Sequence, residues 1–214
     1  MWDNIMVFLP LLLKGAVVTL QVTALAVLLS TLLGLLWALL QLSRWPAVRS
    51  ATRWAVNVLR SLPIVILLFY FYFVMPDLGI NLSAFTAGVI GLGLAYSAYQ
   101  AENFRSGIEA VDRGQREAAQ SIGMKEGLIL RRVVLPQAFK IALPPYGNTF
   151  TMILKDSSLV STITVAEMTH AGQLIASSTY QNMTVYTLVA LLYVAMGLPL
   201  LYGVGRLEKR FAHR

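Results

Sequence analysis

Five apolar stretches alternate with polar ones along the chain. They run from Ala16 to Leu42, from Trp54 to Met75, from Ala84 to Ala101, within Gln137 to Val165, and from Met183 to Gly205. Each is long enough, or nearly so, to cross a hydrocarbon core of about 30 Å at about 1.5 Å per residue. The second and fifth are the cleanest. The third is short, and the fourth carries Pro144, Pro145, Asn148, Lys155 and Asp156. Proline and polar groups at membrane depth are tolerated only where protein or water meets the freed backbone. The pattern predicts an all-α integral membrane protein of about five transmembrane helices, with the two prolines breaking the start of helix four. Met1-Trp2-Asp3-Asn4 lacks a basic leader, and the first apolar stretch is too long for a signal-peptide core, so helix one is expected to be retained.

Composition narrows the class. Of 214 residues, 57% are hydrophobic and 13% charged, against about 45–50% and about 25% in a soluble domain. Such a chain cannot cover a water-facing surface. The net charge is +7, which in a soluble domain would point to nucleic acid. Here its placement points elsewhere. All but Lys14 and Lys155 of the 17 basic residues fall between helices one and two, at the start of helix two, between helices three and four, or in the tail. The positive-inside rule then puts the N-terminus outside and the C-terminus in the cytoplasm, which five spans require. No nucleic-acid partner is expected. There are no cysteines, so there is no disulfide framework or thiolate site. His170 and His213 have no partners at ligand spacing, and no metal site is expected. Trp2, Trp37, Trp45 and Trp54 fall near the proposed interfaces and suit belt anchoring.

The one long polar segment runs from Asn103 to Lys140, in a loop placed in the cytoplasm. Ile108, Val111, Ala118, Ala119 and Ile122 recur at helical spacing. Gly114 and Gly123 bracket a short amphipathic helix that Gly123 terminates. Glu117 is expected in its first turn, where a negative charge suits the helix dipole. Small side chains at Ala118, Ala119 and Ser121 would let a partner approach closely. Periodicity alone equally permits a helix lying on the membrane surface.

The spacing adds to this. Glu117-Ala118-Ala119, three residues, Gly123, nine residues, Val133, one residue and Leu135-Pro136 resembles the EAA loop of ABC importer permeases, with valine where that pattern has isoleucine. Gly15 to Leu20, Asn57 to Pro63, Ala95 to Ile108, Gly114-Gln115 and Lys155 to Leu159 resemble segments of the polar amino acid uptake branch. The resemblance implies one transmembrane permease domain over residues 1–214 with its EAA loop at 106–136. Gly114, Glu117, Ala118, Ala119, Gly123, Leu135 and Pro136 would form the coupling helix and its support. Implied partners are ATP-binding cassette ATPase subunits, a second equal or related permease chain, and an extracytoplasmic amino-acid-binding protein. The chain would sit in a bacterial inner membrane and be no enzyme. No G-x-x-x-x-G-K-[ST] occurs, so ATP and Mg would be bound by the partner ATPase, and no cofactor by this chain. The wording of Asn57 to Pro63 looks closest to glutamate/aspartate permeases, although a basic amino acid would suit Asp156 as well.

An amino-acid carrier needs polar groups at depth, and each ionisable one costs roughly 2.5–3.5 kcal/mol there, so such residues are candidates for function. Asn148, Met152 and Asp156 fall at i, i+4 and i+8 of helix four, with Lys155 and Ser158 on the neighbouring face. Lys155 and Asp156 point about 100° apart, so each needs its own partner, expected on helix two or three. Helix three adds Tyr96 and Glu102, and helix two adds Arg60 and Pro63. Each has a plainer role open to it: Lys155 and Asp156 as pair-formers, Glu102 with Arg105 as a structural ion pair, Tyr96 as packing. Glu167, in a segment placed outside, is a candidate contact for the binding protein. The alternative function, an ATP-independent channel or assembly subunit, requires no docking helix. A membrane enzyme would require a nucleophile and base or clustered ligands, which the sequence does not supply.

Overall fold

The computed structural model describes residues 2–212, with side chains for 5–210; Trp2's side chain and His213 lie outside these. Every regular element among the described residues is helical. The order is α1 (Trp2–Gln41), α2 (Pro46–Ser61), α3 (Ile64–Phe69), α4 (Ala84–Glu109), α5 (Arg113–Ser121), α6 (Glu126–Ile129), α7 (Leu135–Asp156), α8 (Met168–Thr179) and α9 (Asn182–Ala212). A wide π turn and a 3₁₀ turn extend α3 to Leu78, a π turn over Leu130–Val134 joins α6 to α7, and a 3₁₀ turn over Ser157–Ile163 follows α7.

α4 is the central helix. Its one side packs on α1, another on α2 and α3, and another on α7. Three glycines make this possible, each against a different neighbour. A Cβ on Gly88 would meet Val160, one on Gly91 would meet Leu68, and one on Gly93 would meet Leu29. Without a driving force from water, membrane helices depend on such close approach. The main core gathers Val22, Ala26, Leu68, Leu92, Tyr96 and Ile153, all 1% exposed or less. Enclosed in this way, α4 tolerates Tyr96, Ser97 and Gln100 without facing them to lipid.

By length and hydropathy alone, two described helices can cross a membrane: Ile5–Gln41 and Asn182–Arg210. A third exists if a bent pair counts as one span. α4 and α7 are too polar for that test, since burial replaces hydrophobicity in them. α9 is the opposite case, with only 6% of its apolar window buried. Its apolar surface needs lipid or another chain.

Four sequence expectations change. The stretch from Trp54 to Met75 is not one straight helix. It breaks at Leu62-Pro63, where both residues are extended, and the two parts bend by 99°. Proline bars its predecessor from the helical region, which explains the break. Conversely, Pro144 and Pro145 do not break α7, which runs through them to Asp156. Adjacent turns are clamped instead: Gly107 of α4 lies against Ala138 and Ala142, and the Thr149 hydroxyl donates to the Pro145 carbonyl at 2.9 Å. α1 extends well before Ala16, because Phe8 and Leu12 pack with Met168, Ile175, Val185 and Val189 of α8 and α9. Trp37 is not a belt residue, since its indole donates to Ser97 at 3.2 Å and packs with Val56 and Ala98.

Where α1 meets α8, the backbones nearly touch. A Cβ on Gly15 would lie 2.8 Å from the Met168 Cα. Gly15→Ala must therefore displace α8 and is expected to cost about 1–3 kcal/mol. A thermal melt of the detergent-purified protein checks this: the midpoint falls for Gly15→Ala and holds for Gly203→Ala, where nothing lies within 4 Å.

Candidate functional site

The EAA segment forms α5. Asp112 caps it, with its carboxylate accepting from the Gly114 N–H at 2.6 Å. That cap starts the helix at Arg113, so Glu117 sits in the middle and not in the first turn; the acid at the positive end of the dipole is Asp112. Gly123 closes the helix in the left-handed region at φ 80°, with its N–H bonded to the Gln120 carbonyl and that of Met124 to Ala119. Ala119 is buried among Val111, Ile129, Val134 and Ala138. Glu117, Ala118 and Ile122 face outward, and Ile122 is 78% exposed. One face of α5 is thus fixed to the bundle and the other is open. Gln120 adds a hydrogen bond to Glu126 of α6 at 2.7 Å.

Two features shape the ends of the membrane helices that flank α5. Arg105, near the end of α4, pairs with Glu102 at 2.7 Å and with Glu109 at 2.5 Å. These are the ion pairs found among the described residues. On the other side, α6 runs through the π turn into α7 with helical backbone at each junction. Leu135 and Pro136 start α7 and help line an apolar cavity of about 680 Å³ with Thr31, Phe104, Phe139 and Tyr146.

The polar groups at depth form a row across α2, α4 and α7. The Tyr96 hydroxyl donates to Asp156 at 2.6 Å. The Tyr96 and Tyr99 rings lie 5.8 Å apart, and the Arg60 guanidinium stands 5.5 Å over Tyr99. Arg60 is exposed beside the α2–α3 break, which Pro63 shapes as the first residue before α3. A cation and a carboxylate thus flank two tyrosines. Asp156 finds its partner on α4. Lys155 has no ion pair or hydrogen bond among the described residues, and it enters a groove of about 520 Å³ between α7 and α9 with Thr151, Ser158 and Tyr193.

The structure divides the helix-four set differently from its spacing. Asn148, Met152 and Lys155 are exposed together, whereas Asp156 turns toward Tyr96. Glu102 is engaged by Arg105, and Arg60 of this row is near enough to act on it electrostatically. A second polar belt joins Asn103 to Gln100, which share a side of helix three by their spacing, at 3.1 Å, and to Thr149, which the sequence did not single out, at 3.0 Å.

Glu167 is a correction. It is fully buried and cannot meet a binding protein. Its carboxylate caps α8 through the His170 N–H at 2.8 Å, and accepts from Thr19 of α1 and Tyr193 of α9, each at 3.1 Å. Three helices therefore converge on one acid. Isolated polar residues in apolar helices, Thr19 and Tyr193, were the only sign of it in the sequence.

Comparison with known proteins agrees with this architecture. Residues 30–213 match the family model described as binding-protein-dependent transport system inner membrane component. A probable amino-acid ABC transporter permease, YckA of Bacillus subtilis, is 37% identical, with 95% of this chain and 90% of that protein covered. A probable glutamine ABC transporter permease, GlnM of the same organism, is 34% identical over 98% and 95%. The crystal structure of an amino acid ABC transporter with histidines superposes with a TM-score of 0.93 at 37% identity, covering 98% of each chain. This chain belongs to the family of binding-protein-dependent transport system inner membrane components, among its amino-acid ABC transporter permeases, and is a multi-pass membrane protein.

Proposed function

We propose that this chain is the membrane-spanning subunit of an ATP-driven, binding-protein-dependent importer of polar L-amino acids, coupled to its ATPase through α5. The observation that carries this reading is the two-faced geometry of α5: Ala119 anchored in the bundle, Glu117, Ala118 and Ile122 free for a partner. An ATP-independent channel would gain nothing from such a face. The N-terminus lies outside and α5 in the cytoplasm, in keeping with the basic residues. ATP and Mg belong to the partner ATPase, and this chain carries out no catalysis.

Force applied to α5 passes to the pathway along a continuous path. Ala119 packs on Ile129, Val134 and Ala138. From Glu126 to Asp156 the helix is uninterrupted, a lever of about 45 Å at about 1.5 Å per residue. Asp156 stands at its far end against Tyr96. Nucleotide-driven closure of the ATPases would swing this lever and open the passage alternately outward and inward.

The polar row suits a zwitterion. Arg60 offers a cation for the α-carboxylate and Asp156 an anion for the α-ammonium, with Tyr96 and Tyr99 between them. Asn148, Met152, Lys155 and Ser158 continue the lining from α7 toward a second permease chain, equal or related. The unpaired Lys155 favours an acidic side chain, as in glutamate or aspartate; the glutamine transport named for one relative supports the polar class.

The reconstituted complex tests this. Glu117→Lys is expected to abolish amino-acid-stimulated ATP hydrolysis and transport; normal transport in an assembled complex would reject the role of α5. Asp156→Ala is expected to reduce uptake at least ten-fold while the ATPase still co-purifies, and undiminished uptake would reject its place in the pathway. A panel of amino acids, each with the binding protein, should stimulate hydrolysis most with glutamate or aspartate. Stimulation confined to basic amino acids would reject the acidic preference alone.

A further inference from the structure

We infer that α2 is an interfacial helix that binds anionic phospholipid headgroups of the inner leaflet through Arg49 and Arg53. The inference rests on the orientation proposed above. It is separate from coupling and from the amino-acid pathway.

The 99° bend at Leu62-Pro63 sets the direction of α2. α3 packs along α4 through Leu68 and Gly91, so α2 must lie across the bundle. Its depth is fixed by two contacts. Val56 packs on Ala98 and Ala101, and α1, which ends at Gln41, feeds directly into it. α2 therefore lies against the side of the bundle, near the end that carries the polar loop.

The 16 residues of α2 present three faces. Thr52 and Val56 are buried against the bundle. Ala47, Ala51, Trp54 and Val58 recur at helical spacing and are all exposed, Trp54 to 71%. Arg49 and Arg53 share a third face, also exposed, beside the buried Thr52 and Val56 and about 150° round the helix from the apolar strip. Trp45, at the N-terminal boundary, is 74% exposed.

No acid occurs in α2. Neither arginine has an ion pair or side-chain hydrogen bond among the described residues. An apolar strip with a tryptophan and an opposed arginine face are what a helix needs to lie at the acyl–headgroup boundary. The inner leaflet supplies the complementary charge, and guanidinium groups bind phosphate oxygens in a bidentate fork. Arg60 continues the basic face but is engaged over Tyr99.

The test uses the whole transporter, with both permease chains and the ATPases, in nanodiscs of phosphatidylcholine with a rising fraction of phosphatidylglycerol. Two readouts are taken: lipid retained in native mass spectra, and amino-acid-stimulated ATP hydrolysis. The wild type is expected to retain phosphatidylglycerol selectively and to hydrolyse faster as its fraction rises. Each arginine near an anionic surface is worth about five-fold in binding. Arg49→Gln with Arg53→Gln should therefore lower the preference about twenty-five-fold and flatten the response, leaving the rate in pure phosphatidylcholine unchanged. Arg49→Lys with Arg53→Lys should restore most of it.

An unchanged preference in the glutamine pair would overturn the inference. So would loss of the ATPase or the second permease chain in every lipid, which would make this face a protein interface. Stimulation by inorganic phosphate in phosphatidylcholine discs would also overturn it, in favour of a soluble anion. The wild type has no cysteine, so Ser50→Cys reports sidedness cleanly. Labelling by an impermeant maleimide from the outer side would overturn the orientation itself. Labelling from the inner side, with no lipid response, would overturn the lipid role and leave the orientation standing.

Discussion

The enclosure of α4 by its neighbours is the constraint on which the rest depends. Tyr96, Ser97 and Gln100 lie at membrane depth in a helix too polar to face lipid. They are affordable only because α1, α3 and the turn after α7 close on it at Gly93, Gly91 and Gly88. The hydroxyl of Tyr96 then reaches Asp156, and Tyr99 receives Arg60. α4 brings two polar groups and α2 and α7 one each, and none of the helices could satisfy its own alone.

A second arrangement repeats this principle at the other side of α1. Glu167 has no cation beside it, and instead gathers hydroxyls from α1 and α9 and the first N–H groups of α8. Four donors replace the water that burial removes. Gly15 brings the α1 backbone close enough for Thr19 to take part. The α8 segment is thereby a structural cap held on the bundle, and its outward contribution must come from residues other than Glu167.

Rigidity and openness are divided between the two faces of α5. Asp112 and Gly123 fix its two ends, and Ala119 fixes one face. The face that carries Glu117, Ala118 and Ile122 is exposed among the described residues. The same logic applies to α2, where the fixed face is Thr52 and Val56 and the open faces are apolar and basic. In both helices, charge and exposure together indicate a neighbour that one chain by itself lacks.

Much of this was legible in the sequence. The apolar stretches, the basic loops, the short helix closed by Gly123 and the divergence of Lys155 from Asp156 all follow from spacing and local propensity, which are properties of neighbours along the chain; the partner expected for Asp156 is found on α4, and the one expected for Lys155 is not found among the described residues. The break at Pro63 and the continuity through Pro144 and Pro145 were not legible, since the same residue type ends one helix and rides inside another. Packing decides between them: Gly107 lies against the α7 turns that precede Pro144, whereas Leu62 stands 39% exposed at the break. The sidedness of Asn148, Met152 and Asp156 was likewise decided by tertiary contact, because packing sets which azimuth of α7 meets Tyr96, and that is the one Asp156 occupies. Local patterning therefore determined which segments are helices and where charge collects. Only the folded chain determined which polar groups meet, because residues 60 positions apart, such as Tyr96 and Asp156, have no relation until the helices pack.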